Sequence, residues 1–182
     1  MSDPEPDKME VLLSESQIQA RVAEMGREIS GTYGNEALTI VGVLNGSFIF
    51  MADLVRQISS PVRCEFLGLS SYGSATESSG VVAITKDLGS SIAGQHVLVV
   101  EDIIDTGLTM QYLLENLSTR QPASVRVASL LSKPARRQVE TRIDFLGFTI
   151  EDRFVVGYGL DYAGLHRNLG YIGVLTPGRS KP

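Results

Sequence analysis

Ile18, Val22, Met25 and Ile29 recur at helical spacing and share one face. Ser14-Glu15-Ser16-Gln17 precedes them as a capping box, in which Ser14 and Gln17 satisfy each other's backbone N–H groups. A helix is predicted from there to Gly31. Ala37 to Leu44 is a nearly continuous β-branched and apolar run, the pattern of a strand buried on both faces in a parallel sheet. Asn45-Gly46-Ser47 is a turn, Phe48 to Ile58 returns to helical spacing, and Val62 to Leu69 is a second strand. The order then repeats. His96 to Val100 is a strand, Glu101 to Gly107 a loop, Thr109 to Leu117 a helix, and Ser124 to Leu131 and Arg153 to Tyr158 are strands. Such alternation predicts an α/β fold of βαβ units around a central, mostly parallel sheet flanked by helices. Ser70 to Gly80 is small, polar and rich in Gly and Ser, which suits a surface loop or an active-site lid.

The 182 residues are 43% apolar and 20% charged, enough for a full core without staples and too apolar for a disordered chain. The length suits one domain spanning 1–182. Residues 1–9 are expected to be a frayed tail, since they are acidic and Pro-containing. They show neither a basic targeting region nor an apolar one, so the cytoplasm is the expected location. The apolar stretch from Thr39 to Val55 is broken by Asn45, Gly46 and Asp53 and is too short to cross a membrane. A net charge of −5, with Arg21, Arg27, Arg136 and Arg137 scattered, argues against nucleic acid as a partner. A lone cysteine, Cys64, excludes an internal disulfide and is expected to be a packed core thiol. His96 and His166 are far apart and make no metal pair.

The chemistry lies between Val97 and Thr109. A hydrophobic strand runs into two adjacent carboxylates, Glu101 and Asp102, with Asp105 three residues on and Thr106-Gly107-Leu108-Thr109 opening a helix. Ligands of open α/β sheets bind beyond the carboxyl ends of strands. A helix start rich in hydroxyls and free N–H groups is a phosphate cradle. Adjacent carboxylates ahead of it suit paired sugar hydroxyls, directly or through Mg²⁺. Three acids after a buried strand are costly unless they are used. The Walker and dinucleotide-binding glycine patterns are both absent.

VVEDIIDTGLT at 99–109 resembles the 5-phosphoribosyl diphosphate (PRPP) signature of the type I phosphoribosyltransferases, in the form most similar to the hypoxanthine-guanine enzymes. Leu44-Asn45-Gly46-Ser47 is similar to the family's diphosphate loop, Ser71-Tyr72 to the start of its mobile lid, and Leu131-Ser132-Lys133 to its purine-reading segment. Phe154 to Tyr162, with Arg167, is similar to its purine hood and second metal region. The resemblance runs in order over about residues 10 to 175.

It implies the type I fold, with a small hood from about 143–171. It also implies purine salvage: a transferase moving the phosphoribosyl group of PRPP to hypoxanthine or guanine, giving IMP or GMP and diphosphate, with Mg²⁺. Asp105 would take or share the purine N7 proton. Glu101 and Asp102 would hold the ribose hydroxyls and, with Asp161, Mg²⁺. Thr106, Gly107 and Thr109 would bind the 5-phosphate, and Asn45, Gly46 and Arg167 the diphosphate. Lys133 would donate to the 6-oxo group, which disfavours adenine. Phe154 would stack on the base, and backbone carbonyls near Val155 and Asp161 would sort hypoxanthine, guanine and xanthine. Ser71 and Tyr72 would begin the lid. A homodimer or homotetramer is also implied. Asn45 departs from the Lys or Arg common in relatives, and Leu108 from the Lys of some, so the cationic diphosphate contact is missing here.

Overall fold

The computed structural model describes residues 8–72 and 81–176. Its main sheet has six strands: β2 (Leu38–Leu44), β3 (Val62–Tyr72), β4 (Val81–Lys86), β5 (His96–Ile104), β6 (Ser124–Ser132) and β7 (Phe145–Thr149), in the order β4-β3-β2-β5-β6-β7. All neighbours are parallel except β3 and β4. The helices are α1 (Glu15–Tyr33), α2 (Phe48–Val55) and α3 (Leu108–Ser118). The chain passes from β2 to β3 on one side and later lays β5 on the other side of β2. A crevice therefore opens between the carboxyl ends of β2 and β5, where the strand order reverses.

Ser14 caps α1 as its sequence requires. The Gln17 N–H donates to Ser14 Oγ at 3.3 Å, and the Ser14 N–H donates to Gln17 Oε1 at 2.9 Å. Ile18, Val22, Met25 and Ile29 are buried against the sheet, each contributing about 1.5–3 kcal/mol by area. The helix runs through Gly31 and stops at Tyr33, because the residue with positive φ is Gly34. A core with α1 and α2 fills one face of the sheet, and a second with Met110, Leu113 and Leu117 of α3 fills the other.

Several boundaries differ from the sequence expectation. The segment from Glu101 to Ile104 is strand, not loop, because β6 is long enough to pair with β5 as far as Ile104↔Ser132. Lys8 and Met9 are not tail. They begin β1 (Lys8–Leu13), which pairs antiparallel with β9 (Ile172–Thr176), itself paired with β8 (Val155–Val156). The hood is therefore a three-stranded sheet closed by the N-terminal strand. Phe145–Thr149, expected within it, belongs to the main sheet, where it extends β6. The strand expected from Arg153 to Tyr158 shrinks to two residues, since Gly157 and Tyr158 both take positive φ. Cys64 is exposed rather than packed: β4 reaches only Gly68–Tyr72, leaving the start of β3 on an open edge. Among the described residues, no helix is long and apolar enough to cross a membrane.

Candidate active site at the carboxyl ends of β2, β5 and β6

Strand alternation separates the two adjacent acids. Glu101 faces a cleft of about 90 Å³ shared with Asp105, Thr106, Gly107 and Thr109. Asp102 faces a larger cleft, about 320 Å³, shared with Asp105, Lys133, Arg136, Phe154, Val155, Leu160 and Asp161. Glu101 Oε2 is buried with no hydrogen-bond partner. Burial, and then the neighbouring Asp102 charge, hold the Glu101 carboxyl well above the usual carboxylate range. Burial also pushes Asp102 up to about 6, although the Ile103 N–H donates to its Oδ1 at 2.9 Å. Arg167 lowers the Asp102 value and Asp161 raises it, which places all three groups within electrostatic reach.

The turn after β2 closes onto the same acid. The Leu44–Asn45 peptide is cis, and Asn45 is exposed. Gly46 lies so near Asp102 that a Cβ there would be 1.6 Å from Oδ2. The Gly46 carbonyl oxygen in turn abuts Gly159 of the hood, 2.1 Å from where a Cβ would sit. The turn is thus held between the β5 acid and the hood.

The cradle begins where β5 ends. Gly107 has φ 88° and precedes α3 as its N-cap, bringing no side-chain oxygen of its own to the first-turn N–H groups. Thr106 Oγ1 accepts from the Leu108 N–H at 3.4 Å. The N–H groups of Gln138 and Val139 donate to Thr106 O at 2.9 and 3.2 Å, fixing the outer wall. Arg137 braces it from below: its Nη2 donates to Ser132 Oγ at 2.8 Å and Ile104 O at 3.5 Å. Thr109 is exposed at the rim.

The far end is lined by cations and an aromatic. Lys133, at the end of β6, is only 7% exposed, and its Nζ lies 3.7 Å from Asp152 Oδ1. Its backbone N–H donates to Ile104 O, so β5 positions it. Phe154 is half exposed and meets Tyr162 edge to face, with ring centroids 5.5 Å apart. Val155 is buried beside it. Asp161 pairs with Arg167 Nη2 at 2.6 Å and accepts from the Gly164 N–H at 2.8 Å, while Arg167 Nη1 donates to Gly159 O at 2.6 Å.

Thus Glu101, Asp105, Thr106, Gly107 and Thr109 share one cleft, and Asp102, Asp105, Lys133, Phe154, Val155 and Asp161 share the other. Asp105 belongs to both. Asn45, Gly46 and Arg167 stand at the edge through their contacts. Ser71 and Tyr72 end β3, paired with Val82 and Val81, and the rest of the expected lid, 73–80, lies outside the described residues. Sequence reasoning missed a role for Arg136, whose Nε is 3.1 Å from Asp105 Oδ1. Its signal was a cation three residues after Lys133, on the same short turn. A cavity of about 450 Å³ opens at the opposite ends of the strands beside Glu36, Arg63 and His96, away from every group named above. His96 itself is engaged with Ser124 Oγ at 2.8 Å.

Two carboxylates, the buried Asp102 and Glu101 with its buried and orphaned Oε2, fit a cation: an ion there would offset the burial that penalises their charge. Among the described residues no three acidic, His or Cys side chains converge on one point.

The chain matches the phosphoribosyl transferase domain model over residues 10–163. It is 52% identical to a hypoxanthine phosphoribosyltransferase of Haemophilus influenzae over 168 residues, covering 91% of this chain and 94% of that one. It is also 52% identical to a hypoxanthine-guanine phosphoribosyltransferase of Mycobacterium avium over 177 residues, covering 94% and 87%. The crystal structure of a Staphylococcus aureus hypoxanthine phosphoribosyltransferase superposes with a TM-score of 0.89 at 46% identity, covering 92% of this chain and 91% of that one. On these matches the chain belongs to the hypoxanthine(-guanine) phosphoribosyltransferases, glycosyltransferases of the type I fold.

Proposed function

We propose that the protein transfers the phosphoribosyl group of PRPP to hypoxanthine or guanine, releasing diphosphate and forming IMP or GMP. One observation carries this reading. Asp105 stands where two clefts meet, with an open phosphate cradle on one side and the buried Lys133 beside an exposed aromatic ring on the other. A ligand spanning them has a phosphate at one end and a flat base at the other.

In this reading Thr106, Gly107 and Thr109 hold the 5-phosphate with backbone N–H groups and hydroxyls. Glu101 and Asp102 orient the ribose hydroxyls and would hold Mg²⁺, with Asp161 nearer the diphosphate. When bound, that ion supplies positive charge against the departing diphosphate. The Asn45-Gly46 backbone and Arg167 receive the diphosphate. The bond from the anomeric carbon to the diphosphate oxygen breaks as the purine N9 bond forms, through an oxocarbenium-like state. Asp105 accepts or shares the N7 proton that the base gives up. Lys133 donates to the 6-oxo group, and Phe154 stacks on the ring. Ser71 and Tyr72 begin the segment that excludes water. The reading also takes the cytoplasm as setting and a homodimer or homotetramer as the working assembly.

The test is nucleotide formation from PRPP and Mg²⁺ with hypoxanthine, guanine, xanthine and adenine supplied separately. Turnover of hypoxanthine or guanine without adenine supports the reading. Saturable PRPP binding without turnover of any base overturns it.

A further inference from the structure

We propose that Arg136 is a positioning residue for Asp105, holding one carboxylate oxygen so that the other faces the purine. The inference rests on the role given to Asp105 above. Arg136 Nε lies 3.1 Å from Asp105 Oδ1, and its Nη1 lies 3.7 Å from Asp152 Oδ1. Lys133 Nζ is 3.7 Å from the same Asp152 oxygen. One guanidinium therefore links the carboxylate assigned to N7 with the carboxylate beside the ammonium assigned to O6. The link is local and stiff. Pro134–Arg136 is a 3-10 turn, and the Arg136 N–H donates to Lys133 O at 3.2 Å, so both cations ride on one turn.

The geometry also sorts the two oxygens of Asp105. Oδ1 is shut off from solvent and accepts no hydrogen bond, so the Arg136 ion pair is what faces it; the side chain keeps 37% exposure, so its open side is that of Oδ2. Arg136 pairs by charge with the inward oxygen and leaves the outward one to the cleft. Half exposed itself, Arg136 adds little to fold stability through such a pair. Its value lies in limiting the rotamers of a carboxylate on a loop, where a small misplacement lowers the rate. A lysine cannot replace it, because an ammonium does not reach both carboxylates as a planar fork does.

The test is a double-mutant cycle of Arg136→Ala and Asp105→Asn, with Arg136→Lys beside it. Arg136→Ala is expected to lower kcat/KM for hypoxanthine about tenfold, with the KM for PRPP and the Tm unchanged. Arg136→Lys is expected to stay impaired. The loss should vanish in the Asp105→Asn background, since the residue acts through Asp105. Inhibition by 7-deazahypoxanthine, which has no N7 proton to give, should not weaken. The same tenfold loss on top of Asp105→Asn, or weaker inhibition by the deaza compound, overturns the inference. Full turnover by Arg136→Ala beside an impaired Asp105→Asn overturns the inference alone. Full turnover by Asp105→Asn overturns the assignment of Asp105 and this inference with it.

Discussion

Gly46 and Asp102 touch so closely that no side chain fits between them: a Cβ on Gly46 would lie 1.6 Å from Asp102 Oδ2. Asp102 is a buried rigid neighbour on β5, so it cannot swing away as a surface side chain could. Gly46→Ala must therefore displace the turn or the acid. Overpacking of this kind costs about 1–3 kcal/mol. We expect a stable protein whose KM for PRPP rises more than tenfold while purine affinity changes little, read by steady-state kinetics. Unaltered PRPP kinetics would show that the turn does not meet the diphosphate.

Lys133 is buried at the end of β6 beside the cleft. Lys133→Ala removes a charged donor, and a hydrogen bond to a charged group is worth about 1.5–3 kcal/mol. The KM for hypoxanthine should rise by roughly tenfold to a hundredfold while that for PRPP stays put. Equal losses for both substrates would remove Lys133 from the 6-oxo group.

Asp102 gives a pH dependence with a definite sign. Its ordinary value of 3.8 is pushed up to about 6 by burial, so the folded chain holds this proton more tightly than the unfolded chain. This contribution to stability is therefore full below the ordinary value and is lost as pH rises toward about 6, a total of about 3 kcal/mol. Glu101 shifts in the same direction. Chemical denaturation without ligands should show Asp102→Asn more stable than the parent at neutral pH, with the advantage fading toward pH of about 4. An advantage that is the same at every pH would mean that Asp102 is not penalised by burial.

Cys64 lies near the start of β3, at the opposite end of the sheet from the acids, and is exposed although burial pushes its thiol up. One equivalent of a maleimide should label the native protein under mildly alkaline conditions, and the labelled enzyme should keep its turnover. Loss of turnover in step with labelling would tie this edge to the site.

The motif and the parallel strands β2, β3, β5 and β6 were legible because their causes are local. β2 is a continuous apolar run, α1 carries its cap and its face in the same stretch, and 99–109 holds strand, acids and cradle consecutively. β1 was not legible. Its first residues, Lys8 and Met9, fall in the expected tail of residues 1–9, and the strand shows only when Ile172–Thr176 arrives to pair with it, more than 150 residues later. Cys64 was misplaced because strand composition does not reveal how far β4 covers β3. Arg136 looked like one of several scattered arginines, since nothing in the order of residues brings position 136 against position 105.

By itself, the sequence determined the fold class, the family resemblance and the residue types gathered at the carboxyl ends of the strands, because helix caps, apolar periodicity and a contiguous motif act over a few residues. Tertiary structure decided which groups meet. It put Glu101 and Asp102 into different clefts through strand alternation, closed the hood with the N-terminal strand, pressed Gly46 onto Asp102, and set Arg136 on Asp105. Those relations depend on strand order and on how far each strand continues, which long-range pairing sets.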